Sequence, residues 1–233
     1  LIDSGDLGEM TRVIWIVTDW YRSQSYYDQG GWRATWDGEG GGVLLNQNPH
    51  NLDLWQWMCG IPKRVKSQVY YGKHRNIEVE DDLYALVEYE NGATGCYITT
   101  VGDAPGTNRL EIDGTNGKIV VENNELTFYR LRIPEPEFNA TYKGGLGKPE
   151  VWECKIPIKG TYTSHPGIIN NFCDCILKGA KPIAPGAEGI RGLQISNAIH
   201  LSSWLNGEWV NIPVDGELFL EKLQEHCKEP VTK

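Results

Sequence analysis

A chain of 233 residues that is 40% hydrophobic and 23% charged can bury one large core or two small ones, and it is too apolar to stay disordered. Its formal charge of -9, without any basic cluster, argues against nucleic acid and anionic membrane surfaces as partners. No apolar run approaches the roughly 20 residues that a membrane helix needs.

The six cysteines are scattered with no C-x-x-C pair, so they read as reduced, mostly buried thiols of a cytoplasmic protein. The chain opens on Leu1-Ile2-Asp3, with no initiator methionine and no targeting pattern. It is expected to be a single domain, residues 1–233, of a longer polypeptide.

Residues 12–19 are β-branched and aromatic and predict a strand. The stretch from Trp20 to Trp36 follows as a long loop, and loops of this length are usually functional or disordered. Its content of Tyr21, Arg22, Tyr26, Trp32 and Arg33 argues against disorder.

Gly38-Glu39-Gly40-Gly41-Gly42 then runs into a helical pattern that stops at Gly60-Ile61-Pro62. Two helix starts are open. Asn48 can serve as N-cap with Pro49 in the first turn. Alternatively the helix starts near Val43, and Asn46, His50 and Asp53 share a face at i, i+4 and i+7. Both readings bring Asn46 and His50 close together at a helix N-terminus beneath a glycine loop, where a polar ligand could be handled.

From Arg64 the hydrophobic period switches to two. Val65, Ser67, Val69 and Tyr71 alternate with Lys66, Gln68 and Tyr70, and Leu83, Ala85, Val87 and Tyr89 alternate with Tyr84, Leu86 and Glu88. Asn91-Gly92 closes a hairpin onto Cys96–Val101. Strands are also expected at 109–113, 118–122, 126–132 and 152–158, with residues 133–149 as a loop. Three helices follow, over His165–Lys178, Glu188–Leu205 and Leu218–Cys227. The layout is α+β: an open, mostly antiparallel sheet of about six strands with helices on one face. Tyr84, Leu86, Tyr97 and Val101 are expected on the opposite face, which a second subunit or another sheet would cover.

Several motifs are missing. Gly38-Glu39-Gly40 only begins a G-x-G-x-x-G pattern, because Val43 stands at the third glycine and no strand precedes it. There is no P-loop, H-E-x-x-H or G-x-S-x-G. His50-x-x-Asp53 has helical spacing, but two ligands make a poor metal site, so no metal is expected.

Six segments together carry a resemblance. They are Trp20-Tyr21-Arg22, Trp32-Arg33, the Gly40 to Asp53 block, Ile77 to Asp82, the Glu90 to Ala93 hairpin and the Leu193 to Trp204 helix. Over nearly its whole length the chain resembles the C-terminal domain of a Gfo/Idh/MocA-type oxidoreductase. That resemblance implies a glyceraldehyde-3-phosphate dehydrogenase-like C-terminal fold and hydride transfer on a sugar, inositol or related polyol. It also implies self-association as dimer or tetramer through the open sheet face. In such enzymes a separate Rossmann domain binds NAD or NADP and supplies a lysine. Neither is in this sequence, so no cofactor is expected on this chain alone.

The resemblance makes His50 the acid/base at the substrate hydroxyl. It puts Asn46 where an aspartate is common, and a neutral amide can orient the imidazole but cannot stabilise imidazolium as a carboxylate would. It brings Trp32 and Arg33 to the nicotinamide end of the cofactor. Arg22, Tyr26, Asp53 and His165 complete the expected substrate contacts, as a polar aromatic rim suited to a sugar. Trp55 and Trp57 are expected in the core, and Glu78, Glu80, Asp81 and Asp82 as a solvated lead-in to a strand. The competing reading is a non-catalytic carbohydrate-binding or sheet-mediated assembly module, which has no need of His50 and Asn46 converging.

Overall fold

The computed structural model describes residues 1–158, 160 and 163–228. Among these residues nine strands form one sheet: β1 (Met10–Val17), β2 (Arg64–Tyr71), β3 (Glu80–Glu88), β4 (Thr94–Thr100), β5 (Asn108–Gly114), β6 (Gly117–Glu122), β7 (Glu125–Leu131), β8 (Val151–Ile156) and β9 (Val210–Asn211). Their order is β8-β7-β6-β5-β1-β4-β3-β2-β9. The expected α+β sheet is therefore present but larger than six strands. Only β1 and β4 pair in parallel; every other neighbour is antiparallel.

The alternation read from β2 and β3 holds, with Val65, Val69, Leu83, Ala85 and Val87 all buried. Their face is covered by α2 (Pro49–Cys59) and α5 (Gly189–Trp204). Leu52 and Trp55 enter the core from α2, and Ala198, Ile199 and Leu201 from α5. Trp15, Trp55 and Tyr97 meet at its centre, with ring centroids 5.0 to 6.5 Å apart. The two rings of the Trp55–Tyr97 pair are tilted, an arrangement aromatic quadrupoles favour over a face-to-face sandwich.

Several expectations are corrected. Tyr97 and Val101 are buried in the core, because Tyr97 lies opposite Ala85 and takes its side of the sheet. The open face carries Tyr84 and Leu86, each 47% exposed, with Cys96 and Ile98 facing them. Trp57 is not a core residue; it is 71% exposed on the outer side of α2. None of the six free cysteines is fully buried. The loop at 133–149 contains a short exposed helix, α3 (Glu135–Thr141), and the one at 20–36 contains α1 (Gln24–Tyr27).

α4 (Ser164–Lys178) forms where expected and stops at Gly179, whose φ of 66° is the left-handed cap glycine accommodates. None of its residues is buried, so its apolar side is open. The last helix is α6 (Gly216–Lys228). Among the described residues no helix is long and apolar enough to cross a membrane.

Candidate functional site

The glycine-rich segment is tied down by carboxylates that the sequence reading had left in solvent. Glu80, at the first position of β3, is 1% exposed. Its two oxygens accept the backbone N–H groups of Gly42 at 2.8 Å and Leu44 at 2.9 Å. Its main-chain carbonyl takes the N–H of Val43 at 3.0 Å. A Cβ on Gly42 would lie 2.1 Å from that carbonyl oxygen, so close approach is what glycine supplies here. Burial pushes the Glu80 carboxyl up to about 7, and the two loop N–H groups pull it back.

Asp81, fully buried, accepts the N–H groups of Lys73, His74 and Arg75. Glu78 is half-buried and takes the N–H of Trp36 at 3.2 Å. Only Asp82 behaves like a surface carboxylate, pairing with Lys73 and His74.

Behind Glu80 sits His200 of α5, 2% exposed; its Nδ1 lies 3.4 Å from Tyr71 Oη, while its Nε2, 3.7 Å from Glu80 Oε1, has no hydrogen bond among the described residues. Burial drives its imidazole down to about 3. Both shifts run toward the neutral forms, and an imidazole kept uncharged by burial does not make an ion pair with Glu80.

A hydrogen-bonded chain crosses the front of the loop. Arg33 Nη1 donates to Tyr26 Oη at 2.9 Å, and Tyr26 Oη donates to Asn46 Oδ1 at 3.3 Å. Asn46 Nδ2 donates to Glu39, whose other oxygen takes the N–H of Ala34 at 2.7 Å. Gln47 also donates to Asn46 Oδ1, at 2.7 Å. Asn46 therefore has both ends of its amide engaged, and none of these bonds goes to His50.

The helix begins at Pro49 after Asn48, the first of the two starts open from sequence. The Asn48 side chain does not cap it, but donates to Thr99 on β4. His50 consequently stands in the first turn of α2, exposed, and no hydrogen bond or ion pair reaches it from the described residues. With Asp53 it lines a cleft of about 380 Å³ between α2 and the start of α5, whose opposite wall is Gly189, Gly192 and Leu193. Asp53 Oδ1 accepts from Gln56 Nε2 at 2.9 Å. A larger concavity of about 570 Å³ on the open sheet face, beside Arg12, Asp113 and Lys118, contains none of the expected site residues.

The structure thus gathers Arg22, Tyr26, Trp32, Arg33 and Asn46 into one patch and sets His50 and Asp53 in a neighbouring cleft. The two are joined by the backbone from Asn46 to His50. They are also joined by Trp20, whose Nε1 donates to Asn51 on α2 at 3.2 Å while Arg22 lies over its ring. His165 is not brought to this site: it is exposed on α4, and its recorded contact is Ser164, its own neighbour. Glu39, Gln47 and Glu80 are the participants that sequence reasoning missed. A glutamate set inside a glycine run was the one available signal, for Glu39. Among the described residues no group of three His, Cys, Asp or Glu side chains could hold a metal ion.

The profile of a family described as the GFO/IDH/MocA C-terminal domain matches residues 1–120. No curated protein matches the sequence. Among solved structures, the WlbA dehydrogenase from Bordetella pertussis, in complex with NADH and UDP-GlcNAcA, is 26% identical with a TM-score of 0.72. That match covers 92% of this chain and 58% of that one. A levoglucosan dehydrogenase in complex with NADH and L-sorbose is 20% identical, with a TM-score of 0.67 and coverage of 91% and 61%. A putative NADPH-dependent oxidoreductase from Desulfitobacterium hafniense is 17% identical, with a TM-score of 0.70 and coverage of 91% and 59%. The last two show likeness of fold alone. The chain spans about three fifths of the length of these solved relatives.

Proposed function

This chain belongs to the GFO/IDH/MocA C-terminal domain family, and we propose that it is the substrate-binding part of an NAD(P)-dependent oxidoreductase acting on a sugar, inositol or related polyol. The observation that carries the reading is His50: an exposed imidazole without a partner among the described residues, in the first turn of α2 and beside a cleft that Leu44 and Leu45 also line. A structural histidine would be satisfied by a neighbour. One left free beside a cavity is available to a ligand.

The nicotinamide would supply the hydride chemistry when bound. This chain's own residues do not build a dinucleotide site. Two N–H groups at the end of the glycine loop, those of Gly42 and Leu44, are already given to Glu80 rather than left for a pyrophosphate. The cofactor would be held by a separate dinucleotide-binding body, with Trp32 at the rim facing it.

Within the chain, His50 takes or returns the proton of the reacting hydroxyl, and Asp53 holds the substrate from the next turn. Tyr26 and Asn46 shape the adjoining wall. Asn46 acts through that wall rather than on the imidazole, since its amide is fully engaged elsewhere. The open sheet face, with Tyr84 and Leu86 exposed on it, is the surface through which we expect dimers or tetramers to form.

The deciding experiment assays the intact polypeptide that carries this chain, with NAD and NADP, on a panel of sugars and polyols. His50→Ala should lower kcat by about 10²- to 10⁴-fold with the fold intact. Unchanged turnover in that variant would reject the assignment.

A further inference from the structure

Arg22 and Arg33 flank one tyrosine. The Arg22 guanidinium carbon lies 5.2 Å from the centroid of the Tyr26 ring and 5.4 Å from that of Trp20. That of Arg33 lies 4.8 Å from Tyr26 and 4.5 Å from Trp32. Both side chains are half-buried, and neither has a carboxylate partner among the described residues. Half-buried cations are normally paired, because water is partly withdrawn from them.

Elsewhere the chain follows that rule. The half-buried Arg64, Arg109 and Arg191 all pair with glutamates, as the exposed Arg132 also does. Arg12 and Arg130, which lack ion pairs, are exposed. Arg75 is half-buried too, but it spends its donors on the carbonyls of Arg22, His74 and Val101.

Carboxylates are not scarce in a chain with 31 acidic and 22 basic residues. Those near the patch are committed elsewhere: Glu39 to Asn46 and Ala34, Asp28 to Gln24, and Asp81 to three backbone N–H groups. Each guanidinium has five N–H donors. Arg22 uses one on the carbonyl of Tyr21, and Arg33 uses one on Tyr26 Oη. The remaining N–H donors of both guanidiniums carry no hydrogen bond among the described residues, and pairs of such donors are what grips an oxyanion in bidentate fashion.

We propose that Arg22 and Arg33 form a subsite for the oxyanion of an acidic sugar, a carboxylate or a phosphate ester, next to the His50 cleft. This rests on the reading of the site as sugar-binding, and narrows it to negatively charged sugars. The aromatic rings hold the guanidiniums in place before the ligand arrives, so little side-chain entropy is lost on binding.

The test is calorimetric titration of the intact polypeptide with glucuronate, glucose, UDP-glucuronate and UDP-glucose, at low and high salt. The expected result is at least tenfold preference for glucuronate over glucose, or an arginine-dependent preference for both UDP-sugars, weakened by salt. The first outcome places a carboxylate in the subsite, the second the diphosphate. Arg22→Gln and Arg33→Gln should abolish the preference, while Arg33→Lys, which keeps the charge and loses the bidentate edge, should lower it without unfolding risk. Equal binding of charged and neutral sugars, a preference that survives both glutamine variants, or no binding of any of the four would overturn the proposal. NADH formation is followed on the same samples, so the two readings fail separately. Charge preference without turnover on any substrate removes the oxidoreductase assignment and leaves the subsite. Turnover of neutral polyols, indifferent to both arginines, does the reverse.

Discussion

The carboxylate of Glu80 grips the backbone nitrogen of Gly42 at 2.8 Å, and with its other oxygen that of Leu44 at 2.9 Å. One side chain at the start of β3 thus sets the path of the chain between the glycine loop and α2. Replacement by glutamine leaves one acceptor and turns an amide N–H₂ toward a backbone donor. Glu80→Gln should therefore cost about 1–3 kcal/mol, the usual penalty for a buried donor left unpaired. Chemical denaturation would measure it; a loss below about 0.5 kcal/mol would mean that the loop is held by other contacts.

The same residue and His200 give opposite pH dependences. Glu80 has its folded value raised from 4.5 to about 7, so its contribution is full below pH 4.5 and is lost as pH rises through about 7. His200 has its folded value lowered from 6.5 to about 3, so its contribution is present above pH 6.5 and is lost as pH falls through about 3. The two slopes oppose each other between pH 4.5 and 6.5. His200→Asn should unmask the Glu80 slope, and Tm should then fall steadily from pH 4.5 to 7. A Tm that stayed level across that window in the variant would contradict the account.

Asn46 faces the Glu39 carboxylate with its N–H₂ end. Asn46→Asp would set two carboxylates against each other, raising the pKa of one of them. The variant should be less stable than the parent at pH 7 and recover toward pH 4, and adding Glu39→Gln should restore it at neutral pH. Thermal melts of the three proteins at both pH values provide the check. A neutral-pH loss that the second substitution does not relieve would show that repulsion is not the cause.

On α4, Phe172 is 63% exposed and Ile176 is 68% exposed, and no residue of the helix is buried. Phe172→Ser and Ile176→Ser should each change stability by no more than about 0.5 kcal/mol, as exposed positions do. A core position such as Leu52, 1% exposed, should lose about 2–5 kcal/mol on truncation to alanine. Urea denaturation of these variants separates the two cases. A core-sized loss at Phe172 would show that its apolar side packs against something in solution.

The sequence by itself determined what local chemistry can fix. Alternation at period two marked β2 and β3, and Asn91-Gly92 marked the hairpin between β3 and β4, while Asn48-Pro49 was one of two starts left open for α2. It also drew attention to Tyr26, Arg33 and Asn46 around the glycine run, which the structure joins in one hydrogen-bonded chain.

Only the tertiary structure decided three things. Tyr97 turned to the core because both it and Ile98 suit an apolar face, and pairing with Ala85 chose between them. Glu80 became buried because a loop 36 to 38 residues earlier in the chain folds over it with donors for both oxygens. His50 makes no bond to Asn46, whose amide is taken up by Glu39, Gln47 and Tyr26. In each case the deciding partner is distant in the chain or chosen among equals, and local pattern carries no record of that choice.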